Sequence, residues 1–218
     1  MPPTPTVAGA ASPLLAALEH TWATIRARHP EVPDAVLVVA SGGDAKRFHL
    51  GHFAPDRWQV NGTGRHEVLV GGEGLQRGPV DVLATLLHEA AHGLAQARSI
   101  KDTSRQGRYH NRRYATLAAE LGLDVACQER FGWSLTTVPD ATTAAYTTEL
   151  DEIRTALVLW RYLDQHASRG RSRNLLACVC PCGRRIRAAT ATLADAPIVC
   201  GACDGPFEPD PQSRTIDT

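Results

Sequence analysis

Apolar residues recur every three to four positions along four stretches of the chain, the spacing of a helix with one buried face. The first stretch begins with Ser12 and Pro13, which are favourable at a helix start. The second begins at Pro79, and the third is followed by Gly122, a common residue just after a helix. The pattern predicts helices at 12–28, 79–98, 112–121 and about 145–166.

Three shorter apolar runs are bounded by glycine and other turn residues, as is typical of strands. The first, Ala35–Ala40, has the sequence AVLVVA and is followed by Ser-Gly-Gly. The other two strand candidates are 48–53 and 67–70, and a glycine-rich turn at 71–78 precedes the second helix. Strands followed by a set of helices predict an α+β fold.

The composition divides the chain into a main domain, a small module and flanking segments. Residues 1–11 are rich in Pro, Thr and Ala and are expected to form a disordered tail. The main domain is expected to span 12–167, and a basic, polar linker at 168–174 leads into a cysteine-rich module at 175–210. Residues 211–218 form a second short tail.

Composition excludes some broad classes of protein. The chain has 218 residues, 43% of them hydrophobic, which is enough for a sizeable core, and its formal net charge is 0. The whole chain is therefore not an obvious nucleic-acid binder. Its first residues lack the features of a secretory signal, and no stretch approaches a membrane span. We expect a cytoplasmic protein without a membrane partner.

The basic residues are concentrated in two stretches. Residues 98–113 contain six basic residues and one acid, Asp102, and residues 161–187 contain seven basic residues and one acid, Asp164. Arginine outnumbers lysine by 21 to 2 in the whole chain. A bias towards GC-rich codons would explain this, and so would recognition of phosphate or carboxylate by guanidinium groups. The sequence favours neither explanation.

The predicted helix 79–98 contains the sequence HEAAH, in which His88 and His92 lie about one helical turn apart. Two imidazoles on one helix face can bind the same metal ion. Glu89 is then placed to act on a metal-bound water, the arrangement of zinc hydrolases that cleave peptide bonds. Two unrelated surface histidines would give the same letters by chance, but the apolar periodicity of this helix favours a metal site.

A catalytic zinc ion usually has three protein ligands and one water. The best third ligand is His110, which lies 18 residues after His92 and four before Tyr114. Projected onto the helix predicted at 112–121, it continues the apolar face and points towards the HEAAH helix. His110 alone would more simply be a core or capping histidine, and the neighbouring motif favours the ligand interpretation.

These residues define a mechanism of hydrolysis. Zinc lowers the pKa of its bound water to about 7, and Glu89 as general base takes the proton and passes it to the leaving amine. Tyr109, Arg112 and Arg113 flank His110 and are weak candidates for stabilising the oxyanion.

Five of the six cysteines lie in the C-terminal module. This clustering is more typical of a metal site in a reducing cytosol than of a disulfide framework. A C-x-C pair and a C-x-x-C pair predict a structural zinc in a zinc ribbon, with Cys178 as a rival ligand to Cys180. The expected ligands are Cys180, Cys182, Cys200 and Cys203. We therefore expect two zinc ions per chain, one catalytic and one structural, and Cys127 as a buried thiol.

The strings LLHEAAH and GRYHNRRY, together with the cysteine pairs, resemble the SprT-like (Spartan-type) zinc metalloproteases. The resemblance covers about 12–209. It implies a zincin-like domain with a small sheet and active-site helices, in which His88, His92 and His110 bind zinc and Glu89 is the catalytic base. Better-known members degrade proteins covalently trapped on DNA, and the two basic stretches are compatible with DNA as a partner.

The sequence leaves three functions open. The first is a zinc metalloendopeptidase that cleaves proteins on or near DNA, in repair of DNA–protein crosslinks or maintenance of a mobile element, with a location at the nucleoid. The second is a regulatory protease that clips one specific protein independently of DNA. The third is a non-catalytic, zinc-stabilised DNA-binding or adaptor protein, against which the intact Glu89 argues. Residues 131–148 match no motif and would fit an insertion that shapes the cleft.

Overall fold

The computed structural model describes residues 9–44, 47–163 and 175–210. Most of the tail predicted at 1–11, the predicted linker at 168–174 and the tail at 211–218 lie outside these ranges. The chain divides into two compact units, Met1–Gln165 and His166–Thr218. Both units combine helices with small sheets, so the prediction of a mixed α and β fold is confirmed.

Five α-helices and one short 3₁₀ helix lie in the described part of the first unit. They are α1 (Ala11–Arg28), α2 (Pro79–Ala97), α3 (Arg112–Glu120), α4 (Asp140–Ala145) and α5 (Thr147–Ala156), with the 3₁₀ helix at Gly72–Arg77. Three of the predicted helices are thereby confirmed, each shifted by one residue at one end. Asn111 defines the start of α3, because its side-chain oxygen accepts hydrogen bonds from the backbone amides of Arg113 and Tyr114.

Short strands form three small sheets in the described part of this unit. The first sheet contains β1 (Ala35–Ala40), β4 (Gly51–Val60) and β5 (Thr63–Gly71), in the order β1-β5-β4. Strands β2 (Gly43–Asp44) and β3 (Arg47–Phe48) form a two-stranded ladder. The third sheet contains β6 (Thr103–Ser104), β7 (Tyr109–His110), β8 (Asp124–Gln128) and β9 (Gly132–Thr137), in the order β6-β7-β9-β8.

The predicted strands agree with the first sheet only in part. The prediction of β1 is confirmed, and 67–70 lies within β5, which pairs with β1 in parallel and with β4 in antiparallel register. The strand expected at 48–53 is wrong at its start, because β4 begins at Gly51 and continues through a polar arm to Val60. That arm is mostly exposed, so its sequence lacks the apolar alternation of a half-buried strand.

Helix α2 packs against α1, α3, α5 and the β4–β5 hairpin, and its apolar side chains form the middle of the core. Burial of each large apolar side chain stabilises the fold by roughly 1.5–3 kcal/mol. The fully buried side chains include Leu18, Trp22 and Ile25 of α1, Leu83, Leu86, Leu87 and Leu94 of α2, and Ile153 of α5. This packing holds the HEAAH segment in a rigid part of the molecule.

Gly93 lies where α2 approaches β4. A Cβ atom at this position would lie 3.1 Å from Cδ of Pro33 and 3.2 Å from Cε2 of Phe53. Close packing therefore explains a glycine inside a helix, where it costs about 1 kcal/mol relative to alanine. The same close approach brings the start of β4 next to the turn of α2 that contains Glu89.

The helix predicted at 145–166 is wrong. Helices α4 and α5 replace it, and α5 ends at Ala156. In the following segment, Leu157 and Leu159 contact the core while Val158, Trp160 and Tyr162 are exposed. This alternation is that of an extended chain. Arg161 fastens the segment, since its amide donates to the carbonyl of Gly72 and its guanidinium binds the buried carboxylate of Glu73.

The second unit has a small antiparallel sheet and one short helix among its described residues. Strands β10 (Leu175–Val179), β11 (Arg185–Ala189) and β12 (Glu208–Pro209) are arranged with β10 in the middle, and α6 spans Thr190–Asp195. No described helix in either unit is long and apolar enough to cross a membrane.

Candidate metal centre

His88, His92 and His110 converge on one point in the first unit. One ring nitrogen from each lies within 4.8 Å of the other two, close enough for the three to hold a single metal ion. His88 and His92 lie on α2, as predicted. His110 lies in β7 and not on the helix onto which the sequence projects it, because Asn111 caps α3 and begins the helix one residue later.

Tyr114 packs against all three imidazoles. Its ring centroid lies 4.9 Å from that of His88, 4.8 Å from that of His92 and 4.5 Å from that of His110. The three imidazole centroids are themselves 5.0 to 5.2 Å apart, so the tyrosine ring caps one side of the histidine triangle. Because Tyr114 is fully buried, the side of the triangle that it covers is closed to solvent.

Hydrogen bonds at Nδ1 orient two of the rings. The Nδ1 atom of His92 lies 2.5 Å from Oδ2 of Asp102, and that of His88 lies 3.4 Å from Oγ1 of Thr136. The Nδ1 atom of His110 is buried and has no hydrogen-bond partner in the described part of the chain. The Nε2 atoms of His92 and His110 face each other at 3.1 Å, which suits two ligands of one ion.

Two of the three histidines favour the neutral form of imidazole. Burial lowers the pKa of His88 well below its usual value and that of His110 to about 4, and the neighbouring His92 lowers both further. Burial also lowers the pKa of His92, but the hydrogen bond to Asp102 and the charge of Glu89 outweigh it and raise the pKa overall. His88 and His110 are thus neutral at pH 7, the form of imidazole that binds metals.

Glu89 lies beside the histidines and is only 4% exposed. The start of β4 encloses its carboxylate: the backbone of Phe53 favours the charged form of Glu89, and a Cβ at Gly51 would lie 2.8 Å from Oε1. Burial raises the pKa of Glu89 to about 7. Its Oε2 atom is buried without a hydrogen-bond partner among the described residues, which is costly in a dry site. A bound metal and its water would provide the missing partner, so the residues present fit a metal ion.

The three weak candidates for stabilising the oxyanion, Tyr109, Arg112 and Arg113, make contacts of other kinds or are exposed. Tyr109 is stacked beneath Arg105 and lies against Gly132, and Arg112 and Arg113 are exposed at the start of α3. No contact among the described residues joins any of these three side chains to Glu89.

Sequence reasoning missed Asp102, Thr136 and the contact that Tyr114 makes. Tyr114 is recognisable in the sequence only as a member of the apolar stripe of α3, which does not distinguish it from a leucine. Asp102 had a signal, because it is the one acid in the basic stretch 98–113. Thr136 had none, since it lies in the tract 131–148, to which no motif was assigned.

Gly132 controls the place of His110 through the pairing of β7 with β9. Its φ is +72°, and a Cβ there would come 2.1 Å from the carbonyl oxygen of His110. We expect Gly132→Ala to reduce metal binding by the histidines and to lower the free energy of unfolding by more than the roughly 1–2 kcal/mol that a left-handed alanine costs. Metal titration and thermal unfolding would measure both.

Gly107 provides the matched control, since its φ is +82° and nothing lies within 4 Å of the position of a Cβ. Gly107→Ala should show the conformational cost alone. Equal effects of the two substitutions would mean that contact with His110 is unimportant.

The second unit contains a separate cluster of four cysteines. Their Sγ atoms lie within 4.8 Å of one another, with 2.8 Å between Cys180 and Cys182. The four are Cys180, Cys182, Cys200 and Cys203. Cys178 is fully buried, and its thiol contacts the carbonyl of Leu176 outside the cluster. The backbone N–H of Ala202 is the main cause that lowers the pKa of Cys200 to about 6, which favours the thiolate that binds metals.

We expect Cys200→Ser to remove one equivalent of metal per chain and to unfold the second unit, since metal binding supplies most of the folding free energy of such small modules. Cys178→Ala should keep the metal. Elemental analysis and circular dichroism would distinguish the two variants. If Cys178→Ala loses metal and Cys200→Ser does not, the ligand set is wrong.

The basic stretch 98–113 divides into engaged and free side chains. Arg98 forms ion pairs with Glu31 and Glu120. The other cations make no ion pair with a described residue, and all are exposed. These are Lys101, Arg105, Arg108, Arg112 and Arg113. In the second stretch, Arg161 is bound to Glu73 and is also unavailable. The expectation for Cys127 was wrong, because its thiol is exposed on β8.

Comparisons with protein-family models, with curated proteins and with solved structures give no match for this chain. Any assignment of function therefore rests on the residues and geometry of the two clusters.

Proposed function

We propose that this chain is a zinc-dependent metalloendopeptidase of the SprT-like type, with a zincin-like catalytic domain and a C-terminal zinc ribbon, that cleaves proteins on or near DNA. The observation that carries the proposal is the convergence of three histidines beside the buried carboxylate of Glu89. A purely structural metal site has no need of such a carboxylate, and burying one without a partner is costly. Titratable groups with strongly shifted pKa values are most common at catalytic sites.

The donor atoms favour zinc at both clusters. Imidazoles and thiolates are its usual protein ligands, and four cysteines in two close pairs are typical of a structural site. Three histidine ligands leave one position for water, which is typical of a catalytic site. Tyr114 closes one side of the histidine triangle, so the water and the substrate would approach from the other side.

His88, His92 and His110 would hold the catalytic zinc. When bound, zinc supplies a water acidic enough to react near neutral pH and polarises the scissile carbonyl. Glu89 would accept the proton of that water at Oε2, its unpartnered atom, and donate it to the nitrogen of the leaving amine. The backbone of Phe53 favours the charged form of this carboxylate, which is the form that accepts the proton.

The free cations of 101–113 support DNA as the partner that brings enzyme and substrate together. They are exposed and form no ion pair with a described residue, although Arg105 lies over the ring of Tyr109 and Arg108 donates to the side chain of Gln106. They lie in the segment that carries His110. Phosphate contacts of this kind release counterions, so the affinity should fall as salt increases. Counting the charges of the stretch would overestimate the number of cations available to DNA, because Arg98 is paired with two carboxylates.

Cleavage of a basic DNA-binding protein, with and without DNA, would test the proposal. We expect cleavage that needs metal and is faster when DNA is present. Replacing Arg112 and Arg113 by alanine should weaken DNA binding and reduce the dependence of log K on log salt by up to about 2. Arg154→Ala is the matched control, because Arg154 is an exposed arginine paired with Asp151.

The outcomes separate the parts of the proposal. Cleavage that is unaffected by DNA would contradict the proposed role of DNA and favour a protease that acts on one specific protein. Metal-loaded protein that cleaves no protein under any condition would contradict the peptidase assignment. DNA binding that survives high salt would argue against contacts made mainly by these cations.

A further inference from the structure

His92 is the one histidine of the cluster with a charged partner among the described residues. Its Nδ1 atom lies 2.5 Å from Oδ2 of Asp102, and the two side chains are only 18% and 14% exposed. A carboxylate can only accept a hydrogen bond, so Nδ1 carries the proton. In the neutral imidazole, Nε2 then keeps its lone pair, and it faces Nε2 of His110 at the point where a metal would bind.

The backbone of Asp102 is tied to the strand that carries His110. The carbonyl of Asp102 accepts a hydrogen bond from the amide of Asn111 at 2.9 Å, and the next residue, Thr103, pairs with His110 across β6 and β7. The side chain of Asn111 also donates to the carbonyl of Lys101 at 2.8 Å. Asp102 therefore lies at the base of the short β6–β7 hairpin that carries His110.

Asn111 connects this hairpin to the rest of the centre. Its side-chain oxygen caps α3 by accepting from the amides of Arg113 and Tyr114. Tyr114 in turn contacts all three imidazoles. The β6–β7 hairpin, the cap of α3 and the ring of Tyr114 are thus linked by one continuous set of contacts.

We propose that Asp102 is a positioning residue, which fixes the nitrogen that His92 presents to the metal while the β6–β7 hairpin places His110 beside it. The inference rests on the metal site proposed above. Without the carboxylate, the ring of His92 could rotate, or it could carry its proton on Nε2, and that form cannot bind a metal through Nε2. Partners of this kind typically contribute 10- to 100-fold to metal affinity.

A purely structural ion pair between Asp102 and His92 would have different consequences. Its removal would lower the melting temperature but would leave the position of the imidazole proton and the relative metal affinities of the two clusters unchanged. The cysteine cluster belongs to another unit of the same chain and provides an internal reference.

The test uses the full chain with Asp102→Asn, which keeps the shape of the side chain, and Asp102→Ala, which removes its polar atoms. Asp124→Asn is the matched control, since Asp124 is an exposed acid on β8. Zinc affinity of each cluster would be measured by competition with a chromophoric chelator, and cobalt spectra would distinguish histidine from cysteine coordination. The protonated nitrogen of His92 would be identified by ¹⁵N NMR of the metal-free protein.

We expect the Asp102 variants to bind zinc roughly 10- to 100-fold more weakly at the histidines and unchanged at the cysteines. In metal-free protein, studied at a pH high enough for His92 to be neutral, the proton of wild-type His92 should be on Nδ1, and in Asp102→Ala it should be found on Nε2 as well. Unchanged affinity at the histidines, an unchanged tautomer, or equal weakening at both clusters would each overturn the inference. If wild-type protein binds no zinc at the histidines, the proposed function fails. The NMR measurement would still show whether Asp102 determines which nitrogen of His92 carries the proton.

Discussion

Glu89→Gln is expected to leave both metal clusters filled and to lower the rate of peptide cleavage by about 10²- to 10⁴-fold, the usual contribution of a general base. The amide has nearly the same size as the carboxylate, so it fits beside Gly51, where an added Cβ would come 2.8 Å from Oε1. It cannot accept the proton of the attacking water. The measurements are cleavage rate and metal content on the same preparation.

Glu149 offers a matched control for this substitution. It is a glutamate of similar burial, 7% exposed against 4% for Glu89, and it lies on α5, where it accepts a hydrogen bond from Thr24. Glu149→Gln should affect stability and leave the cleavage rate unchanged. Normal cleavage by Glu89→Gln would remove Glu89 as the base and with it the reason for reading this centre as catalytic.

His110→Ala is expected to weaken metal binding at the histidine cluster by more than about 100-fold. Loss of a residue that only hydrogen-bonds to a ligand costs up to about 100-fold, and loss of the ligand itself should cost more. Two imidazoles on α2 would remain, and the ion would lose the ligand that closes the site from β7. The metal content should fall from two ions per chain to one, and cleavage should be lost with it. The cysteine cluster should keep its ion.

His49→Ala is the control, because His49 is an exposed histidine that is not in the cluster. It should retain two ions and full activity. If His110→Ala also retains two ions, His110 is a core histidine of the kind that its sequence context alone would suggest. A loss of both ions would instead indicate that the variant has unfolded.

The local pattern was sufficient to predict the part of the site that lies on α2. Apolar spacing and Pro79 define the helix, and a helix repeats nearly every four residues, so the geometry of His88, Glu89 and His92 follows from the sequence. The two cysteine pairs are also local features, because each pair lies within one tight turn. In these cases the relevant contacts are made between residues close together in the chain.

The structure brings His110 next to His88 and His92, as the sequence predicted, but it places His110 on a strand and not on a helix. The sequence placed it on the face of α3, whereas Asn111 caps the helix and His110 belongs to β7. The extended segment after α5 shows the same limit. Its alternating Leu157 and Leu159 could be read as part of a helix, and only the contacts of Arg161 with Gly72 and Glu73 determine that the chain is extended there.

By itself the sequence determined the mixed α and β composition, the helix that carries HEAAH, and the cysteine pairs, because these depend on spacing along the chain. Only the tertiary structure decided that Asp102 orients towards His92, that Tyr114 caps the three histidines and that Glu89 is buried against β4 with one oxygen unpartnered. Those contacts join residues from separate elements. They depend on how α2, β4 and the β6–β7 hairpin pack together, which no local pattern in the sequence specifies.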